Sequence, residues 1–231
     1  MDDRRKSGRG GSERLKKRRG LSVSSALWLQ RQLKDPYVAE AHRLGYRSRA
    51  AFKLLELDGQ GLFLKPGRRV VDLGAAPGGW TQVAVTRVKA DQPGGGQVVA
   101  IDCAPWEPVA GAVCLTHDFL AVDGPDRLKE ALGGGRADVV LSDMAPHTTG
   151  HRQTDHLRIL ALAEAAYGFA LDVLAPRGTF VTKVFRGGTE QTLLADMKRR
   201  FATVRHVKPP ASRKESSEMY LVAQGFSGCP T

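Results

Sequence analysis

Val70-Val71-Asp72-Leu73-Gly74-Ala75-Ala76-Pro77-Gly78-Gly79-Trp80 is the stretch that decides the fold. An apolar strand ends in an acidic residue and breaks into a glycine-rich turn, and helical spacing follows over 81–88. A strand, a glycine turn and a helix together present backbone N–H groups and a positive helix end to a ligand. The spacing is not G-x-G-x-x-G, and no Gly-Lys-Ser/Thr follows as a P-loop requires. The turn favours a nucleoside that carries a small anion; a plain tight turn is the alternative for this stretch alone.

Before Lys65-Pro66-Gly67 the apolar spacing is helical. It predicts two helices over 25–45, broken at Asp35-Pro36, and a basic helix over 48–57. After that point, strands alternate with helices predicted over 81–88, 125–132, 154–173 and 190–201. The predicted strands are 69–73, 97–102, 112–116, 139–142, 179–184, 203–207 and 219–223.

The strands near 70, 99 and 140 are continuous apolar runs, which is typical of a sheet covered on both faces. No helical segment separates the last two strands, so they form a hairpin and one strand is antiparallel. The fold class is therefore α/β: a Rossmann-like, mostly parallel seven-stranded sheet with the last strand antiparallel and helices on both faces. We expect a single domain over 25–226, made of basic helices over 25–58 and an α/β core over 67–226, with a short C-terminal tail over 227–231.

The charge of the chain is strongly positive, with a net charge of +11 and a pI of about 9.9. Residues 1–20 hold nine Lys/Arg against three Asp/Glu and almost nothing apolar. We expect 1–24 to be a disordered basic tail. A cationic tail on a basic domain indicates a polyanionic partner, most simply nucleic acid, and a merely solubilising extension is the alternative.

Acidic residues follow four successive predicted strands, at Asp72, Asp102, Asp118 and Asp143. The C-terminal ends of parallel strands are where such sheets bind ligands. Asp102 is placed to accept from ribose hydroxyls, and Asp118 beside Phe119 from an adenine amine. Four acids repel a pyrophosphate and favour a ligand that is rich in donors and positively charged. S-adenosylmethionine, a sulfonium-bearing nucleoside, fits this pocket, which also contains Gly74, Gly78 and Trp80.

Lys183 lies inside the apolar strand Thr179-Phe180-Val181-Thr182-Lys183-Val184-Phe185. A lysine there is costly unless it is paired or neutral, or unless the strand lies at an edge and the side chain reaches solvent. Asp143, at the end of a neighbouring strand, and Glu218, at the start of the last strand, are candidate partners. Lys53 lies on the basic helix before the sheet, and read alone it is an ordinary surface charge, as is Glu218.

The segments RSRAAFKL, VDLGAAPGGW, SDMAP, VTKVF and SSEMY follow in this order from residue 47 to residue 220. Together they resemble the FtsJ/RrmJ (RlmE) family of RNA 2′-O-ribose methyltransferases, specifically the bacterial large-subunit rRNA enzymes, over roughly residues 25–226. The resemblance implies a catalytic tetrad of Lys53, Asp143, Lys183 and Glu218. It implies cofactor contacts at Gly78, Trp80, Asp102, Asp118 and Asp143. It also implies a substrate uridine in 23S rRNA of the assembled 50S subunit.

The chemistry of methyl transfer agrees with this tetrad. The attacking oxygen must be held in line with the methyl carbon and must lose its proton. A lysine accepts that proton only as the neutral amine, which a second nearby cation such as Lys53 would favour. Our hypothesis is that Lys183 is the base, that Lys53 also stabilises the developing alkoxide, and that Asp143 and Glu218 orient the two lysines.

Rival readings fit less well. Exocyclic-amine methyltransferases need an Asn/Asp-Pro-Pro-aromatic run, which Met144-Ala145 replaces here. None of the three cysteines suits the nucleophile of a cytosine-C5 enzyme, and they form no disulfide framework. A metal site at His147, His151 and His156 would have poor spacing, so no metal is expected. A non-catalytic RNA-binding module explains the charge alone, and tRNA or an mRNA cap is the alternative substrate.

Two groups of basic residues could hold RNA phosphates on either side of a target ribose. No apolar stretch is long enough to span a membrane, and the basic N-terminal segment lacks the apolar core of a signal peptide, so we expect a cytoplasmic protein. A monomer is expected. The two basic groups are Arg31, Lys34, Arg43, Arg47, Arg49 and Lys53, and Lys198, Arg199, Arg200, Arg205, Lys208, Arg213 and Lys214.

Overall fold

The computed structural model describes residues 35–146, 149–187 and 190–228. The predicted tail over 1–24 and the helix before Pro36 lie outside these residues, so the domain boundaries stay predictions. The described helices are α1 Pro36–Leu44, α2 Ala50–Gly61, α3 Gly79–Val88, α4 Gly124–Ala131, α5 Arg152–Val173 and α6 Gln191–Arg200. The strands are β1 Arg69–Leu73, β2 Gln97–Asp102, β3 Ala112–Thr116, β4 Ala137–Ser142, β5 Leu174–Phe185, β6 Phe201–Val207 and β7 Glu218–Phe226.

The seven strands form one sheet in the order β3-β2-β1-β4-β5-β7-β6. The pairs from β3 through β5 are parallel, and β7 runs antiparallel to both β5 and β6. The predicted fold class is therefore confirmed, including the final antiparallel strand. Because β7 is antiparallel, its first residue, Glu218, lies at the same edge of the sheet as the ends of β1 to β5, opposite Phe185.

Helices cover both faces of the sheet, and each face has its own core. On one side α4, α5 and α6 contribute Leu128, Phe169 and Met197, all buried against alternate strand residues. On the other side α2 and α3 contribute Leu54 and Val83. Successive residues of β1 point to opposite sides, as a pleated strand requires. Covering both faces explains why these strands read as continuous apolar runs rather than alternating ones.

The helix α1 starts where local signals predict, whereas α2, predicted over 48–57, begins at Ala50. Asp35 caps α1 through a bond from the Tyr37 N–H at 3.1 Å, and Pro36 occupies the first turn. α3 begins at Gly79, two residues before the predicted start, since Gly78 adopts the left-handed φ of +111° that turns the chain into the helix. No helix in the described ranges is long and apolar enough to cross a membrane.

Candidate active site

The glycine turn is held against the end of β2. The N–H groups of Gly74 and Ala75 both donate to the Ile101 carbonyl, at 3.0 and 3.1 Å. Gly74 has a φ of +78°, and a Cβ there would lie 2.7 Å from Met144 Cγ. Only glycine therefore allows the segment after β4 to pass so close to this turn.

Asp72 is fully buried in β1, just before the glycine turn. Its Oδ2 accepts from the Thr81 hydroxyl at 2.7 Å, whereas its buried Oδ1 has no hydrogen-bond partner among the described residues. Burial raises the pKa of Asp72 to about 7; the Thr81 bond opposes this rise, and the nearby Asp143 and Asp102 add to it. A buried carboxylate oxygen without a donor is a place where a ligand donor or cation would be stabilised.

Asp102 and Asp118 end up at the same edge of the sheet, as predicted. Asp102 accepts from the Ala76 and Ala104 N–H groups at 2.9 and 2.8 Å, so it links the glycine turn to the loop after β2. Asp118 is exposed and accepts from the Leu120 N–H at 2.9 Å. Each carboxylate keeps lone pairs for a ligand, because a carboxylate offers about four acceptor sites. Their ligand contacts remain predictions.

Arg47 joins three segments around the same pocket. Its guanidinium donates to the Pro77 carbonyl at 3.2 Å, to the Pro108 carbonyl at 2.8 Å and to the Glu107 carbonyl. Its backbone N–H donates to Gln82 Oε1 at 2.9 Å. The sequence analysis placed Arg47 among phosphate-binding residues, but these contacts make it a brace between the first helices and the walls of the pocket.

Trp80, predicted as a cofactor contact, is buried at 3 % exposure. Its Nε1–H donates to the Ala50 carbonyl at 2.8 Å, and its ring packs on Tyr220 with centroids 5.6 Å apart. The indole thereby connects α3, α2 and β7. The contact to a cofactor remains a prediction, and what the structure itself shows for this side chain is packing.

The four residues of the proposed tetrad come together in one cluster. Lys183 Nζ lies 2.7 Å from Asp143 Oδ1, donates to the Asp143 carbonyl at 2.8 Å and lies 3.9 Å from Glu218 Oε2. Lys53 Nζ lies 2.7 Å from Glu218 Oε1. β5 is an interior strand and Lys183 is only 7 % exposed, so the edge-strand alternative is wrong. The surface-charge readings of Lys53 and Glu218 are wrong for the same reason, since both are largely buried and paired.

The charges in this cluster alternate in sign. Lys53 reaches Lys183 through Glu218, and Lys183 in turn contacts Asp143. Burial would raise the pKa of Asp143, but the ammonium of Lys183, then that of Lys53, and the hydrogen bonds to its carboxylate hold that pKa below its usual value. Asp143 is thus a fixed anion in a largely buried place, as a paired carboxylate must be.

Tyr220 is part of the cluster, and the sequence analysis missed it. Its hydroxyl donates to Asp143 Oδ1 at 2.7 Å, and Lys53 Nζ lies 5.9 Å from its ring centroid. Burial, with Asp143 next, raises the pKa of Tyr220 well above its usual range, so it stays a donor. The signal was present in the spacing: Tyr220 lies two residues after Glu218 on a strand, hence on the same face. Ser212, which donates to Glu218 Oε1 at 2.8 Å, had no such signal.

Most of the described basic residues named for RNA binding are engaged within the protein. Arg43 pairs with Glu40, and Arg49 with Asp35. Arg199 and Arg200 both pair with Asp196. The amino group of Lys208 donates to two backbone carbonyls, and Arg213 lies 3.6 Å from Asp35. Arg31 and Lys34 lie outside the described residues. The two exposed members without such contacts are Lys198 and Lys214.

Of the three histidines considered as metal ligands, the structure describes His151 and His156. His151 is exposed before α5, and His156 packs on Phe185 with ring centroids 5.5 Å apart. His147 lies outside the described residues. Among those residues, no group of three His, Cys, Asp or Glu side chains could hold a metal ion.

The chain is similar to a family model, to named bacterial proteins and to a solved structure. The family model described as FtsJ-like methyltransferase matches residues 46–226. A "Ribosomal RNA large subunit methyltransferase E" of Paramagnetospirillum magneticum is 65% identical over 95% of this chain and 91% of its own length. The protein of the same name from Rhodospirillum rubrum is 61% identical over 93% of this chain and 81% of its own length. A solved ribosomal RNA methyltransferase structure from Plasmodium falciparum has a TM-score of 0.68 at 32% identity, covering 79% of this chain and 100% of that one.

Proposed function

Because the chain belongs to the FtsJ-like methyltransferase family, we propose that it transfers a methyl group from S-adenosylmethionine to a ribose 2′-hydroxyl of RNA. The proposed target is a uridine of 23S rRNA in the assembled 50S subunit. Relatives named for the ribosomal RNA large subunit support this choice. The reaction would take place in the cytoplasm, where ribosomes are, with the protein acting as a monomer.

The pocket fits the proposed donor on three observations. The buried Asp72 Oδ1 without a partner suits a ligand donor or cation. Glycine at position 74 lets the segment after β4, which carries Asp143, pass directly against the turn, so the two strand ends border one site. Asp102 and Asp118, at the ends of neighbouring strands, supply acceptors for a nucleoside. Gly78, which turns the chain into α3, and Trp80 complete the residues that would hold the donor.

S-adenosylmethionine supplies an electrophilic methyl group on a sulfonium, which leaves as a neutral thioether. The protein therefore needs no acid for the leaving group, and its task is to orient the 2′-oxygen and take its proton. Lys183, as the neutral amine, would take that proton and become an ammonium paired with Asp143; its amino group lies inside the cluster, at the same end of the strands as the glycine turn.

The other members of the cluster would hold Lys183 and balance charge. Asp143 fixes the Lys183 amino group through both a carboxylate and a carbonyl oxygen. Glu218 lies between the two lysines, so Lys53 acts through Glu218 and stabilises negative charge on the substrate oxygen. Tyr220 orients Asp143 by donating to the oxygen that Lys183 also contacts.

The observation that carries this proposal is the buried Lys183, whose amino group lies near the carboxylates of Asp143 and Glu218. The glycine turn nearby follows Asp72, whose buried Oδ1 has no partner among the described residues. A purely RNA-binding protein needs surface cations, and gains nothing from a lysine that is 7 % exposed inside a sheet. Burying these charged groups costs folding free energy, and a role in catalysis explains why the protein contains them.

The test is a map of ribose methylation in rRNA. Large subunits from a strain lacking the gene would be incubated with the purified protein and S-adenosylmethionine, and their nucleosides analysed by mass spectrometry. We expect one 2′-O-methyluridine in 23S rRNA. Methylation on a base atom, or of tRNA in preference to large subunits, would overturn the corresponding part of the proposal.

A further inference from the structure

A second concave site lies at the opposite end of the strands from the charged cluster of Lys53, Asp143, Lys183 and Glu218. It is a cleft of about 550 Å³ between the end of α2, the start of β5 and the end of β7. Thr179 in its wall precedes Lys183 by four residues of β5, so the cleft lies about 13 Å along the strand from the catalytic cluster. The lining side chains that matter here are Leu62, Lys65, Arg68, Pro176 and Arg177.

The charge of this cleft is positive. Lys65, Arg68 and Arg177 line it, and Arg205 reaches its rim through a 3.4 Å contact to Gln224. Arg68 pairs with Asp138 at 2.8 Å, and the other oxygen of that carboxylate accepts from the Arg69 N–H. Within the described ranges, Lys65 and Arg177 have no acidic partner within ion-pair distance. Two cations thus face one cleft without local neutralisation, an arrangement that suits an anionic ligand.

Backbone conformation gives an independent sign of function. Arg177 has a φ of +66°, a left-handed conformation that Gly or Asn adopts at much lower cost. It sits in an excursion of β5, where two steps of β4, from Ala137 to Val139, correspond to five steps of β5, from Leu174 to Thr179. Strained conformations of ordinary residues cluster at ligand-binding and catalytic sites. Here the position carries a long cation that faces the cleft.

The cleft also has an apolar component. Leu62 is 67 % exposed at its edge, and Pro176 lies beside Arg177. Apolar surface next to cations matches a nucleotide, whose sugar and base pack on the former while its phosphate pairs with the latter. An acidic peptide would use the cations but would leave the exposed leucine unexplained.

We propose that this cleft binds the sugar–phosphate backbone of RNA as a second contact, remote from the target nucleotide. This inference rests on the proposed function for its RNA ligand. A large substrate can reach both edges of a small domain at once, and a contact far from the reacting ribose adds affinity without interfering with the chemistry. Its loss should therefore raise KM for the subunit and leave kcat unchanged.

The test compares two double variants that remove the same charge. Lys65→Ala with Arg177→Asn removes the two cations of the cleft, and Asn tolerates the left-handed backbone. Arg127→Ala with Lys129→Ala is the control on α4, where both cations already pair with acids. Binding of a fluorescein-labelled oligouridylate is measured across a salt series, with KM for large subunits and the affinity for S-adenosylmethionine alongside.

We expect the cleft variant to bind the oligouridylate roughly tenfold more weakly, with the salt slope reduced by about 1.4, since each single-strand phosphate contact contributes about 0.7. KM for subunits should rise, while kcat, donor affinity and thermal stability stay at wild-type values. The control variant should differ from wild type by less than about twofold.

Three results would overturn the proposal. The first is a cleft variant whose oligouridylate affinity and KM for subunits both equal those of wild type. A raised KM with unchanged oligouridylate binding would indicate a ribosomal protein as the partner. Uridine monophosphate binding as tightly as the oligonucleotide would indicate a pocket for a free nucleotide. If wild-type protein methylates no rRNA yet oligouridylate binding depends on the cleft, the proposed function fails and the cleft stands.

Discussion

Asp143, just after β4, and Asp72, in β1, end neighbouring strands of the sheet and differ in what faces them. Asp143 meets an ammonium and a phenol of the protein itself, and its pKa is lowered. Asp72 meets one hydroxyl, keeps one buried oxygen without a partner among the described residues, and has a pKa raised to about 7. The charged groups around β4, β5 and β7 thus satisfy one another, whereas the half around β1 and β2, where we propose that the donor binds, keeps a buried carboxylate oxygen without a partner among the described residues.

The largest effect that this contrast predicts is on Lys183. Lys183→Ala should lower the rate of methyl transfer on the order of 10²–10⁴-fold, because it removes the proposed proton acceptor. The affinity for S-adenosylmethionine should stay nearly intact, since the donor half does not depend on Lys183. Single-turnover kinetics and equilibrium binding measure the two. Lys198→Ala, an exposed cation on α6, is the control, and full turnover by Lys183→Ala would refute the base assignment.

Asp72 should make stability depend on pH in the protein without ligand. Its pKa rises from the usual 3.9 or so when unfolded to about 7 when folded, so the folded state binds the extra proton between these values. The free energy of unfolding should therefore fall as pH rises from about 4 to about 7, by up to about 4 kcal/mol, and level off above.

Urea unfolding at pH 5 and pH 8 measures this difference. Asp72→Asn should make the two values more alike, whereas Asp126→Asn, an exposed acid on α4, should leave the wild-type pH dependence in place. Added S-adenosylmethionine should bind more tightly above pH 7, where Asp72 is ionised. An unchanged pH dependence in Asp72→Asn would show that this carboxyl is not the cause.

Tyr220→Phe removes one hydroxyl and keeps the ring that packs on Trp80. A hydrogen bond to a charged group contributes about 1.5–3 kcal/mol, so we expect the rate to fall at least about tenfold as Asp143 loses a fixed position. Donor affinity should not change. The readouts are kcat and the donor dissociation constant; a weaker donor affinity with unchanged kcat would place Tyr220 in the other half of the site.

The smallest effect should come from Arg47, on the donor side. Arg47→Lys keeps the charge but cannot reach the carbonyls of Pro77, Glu107 and Pro108 together. We expect donor affinity to weaken about three- to tenfold with kcat nearly unchanged. Arg43→Lys, which alters only a surface pair with Glu40, is the matched control. If RNA binding weakened and donor binding did not, Arg47 would be a phosphate contact after all.

Much of the fold was predictable because the signals were local. Continuous apolar runs marked the buried strands, Asp35-Pro36 marked one helix start, and the glycine turn marked another to within two residues. The absence of a helical segment before β7 predicted the antiparallel strand, which in turn placed Glu218 at the active edge. Element starts were less predictable: β5 begins at Leu174 rather than 179, because an irregular excursion carries no apolar pattern.

The sequence by itself determined the glycine turn and the order of strands and helices, since each depends on neighbours within a few positions. The tetrad followed only from the family resemblance, because its four residues lie far apart along the chain. Only the tertiary structure decided which charges meet. Glu218 separates the two lysines, Tyr220 shares Asp143 with Lys183, and Arg47, although exposed, donates to backbone carbonyls of the segments around the glycine turn. Such pairings join residues far apart along the chain, and their energies depend on burial and distance, which no local pattern encodes.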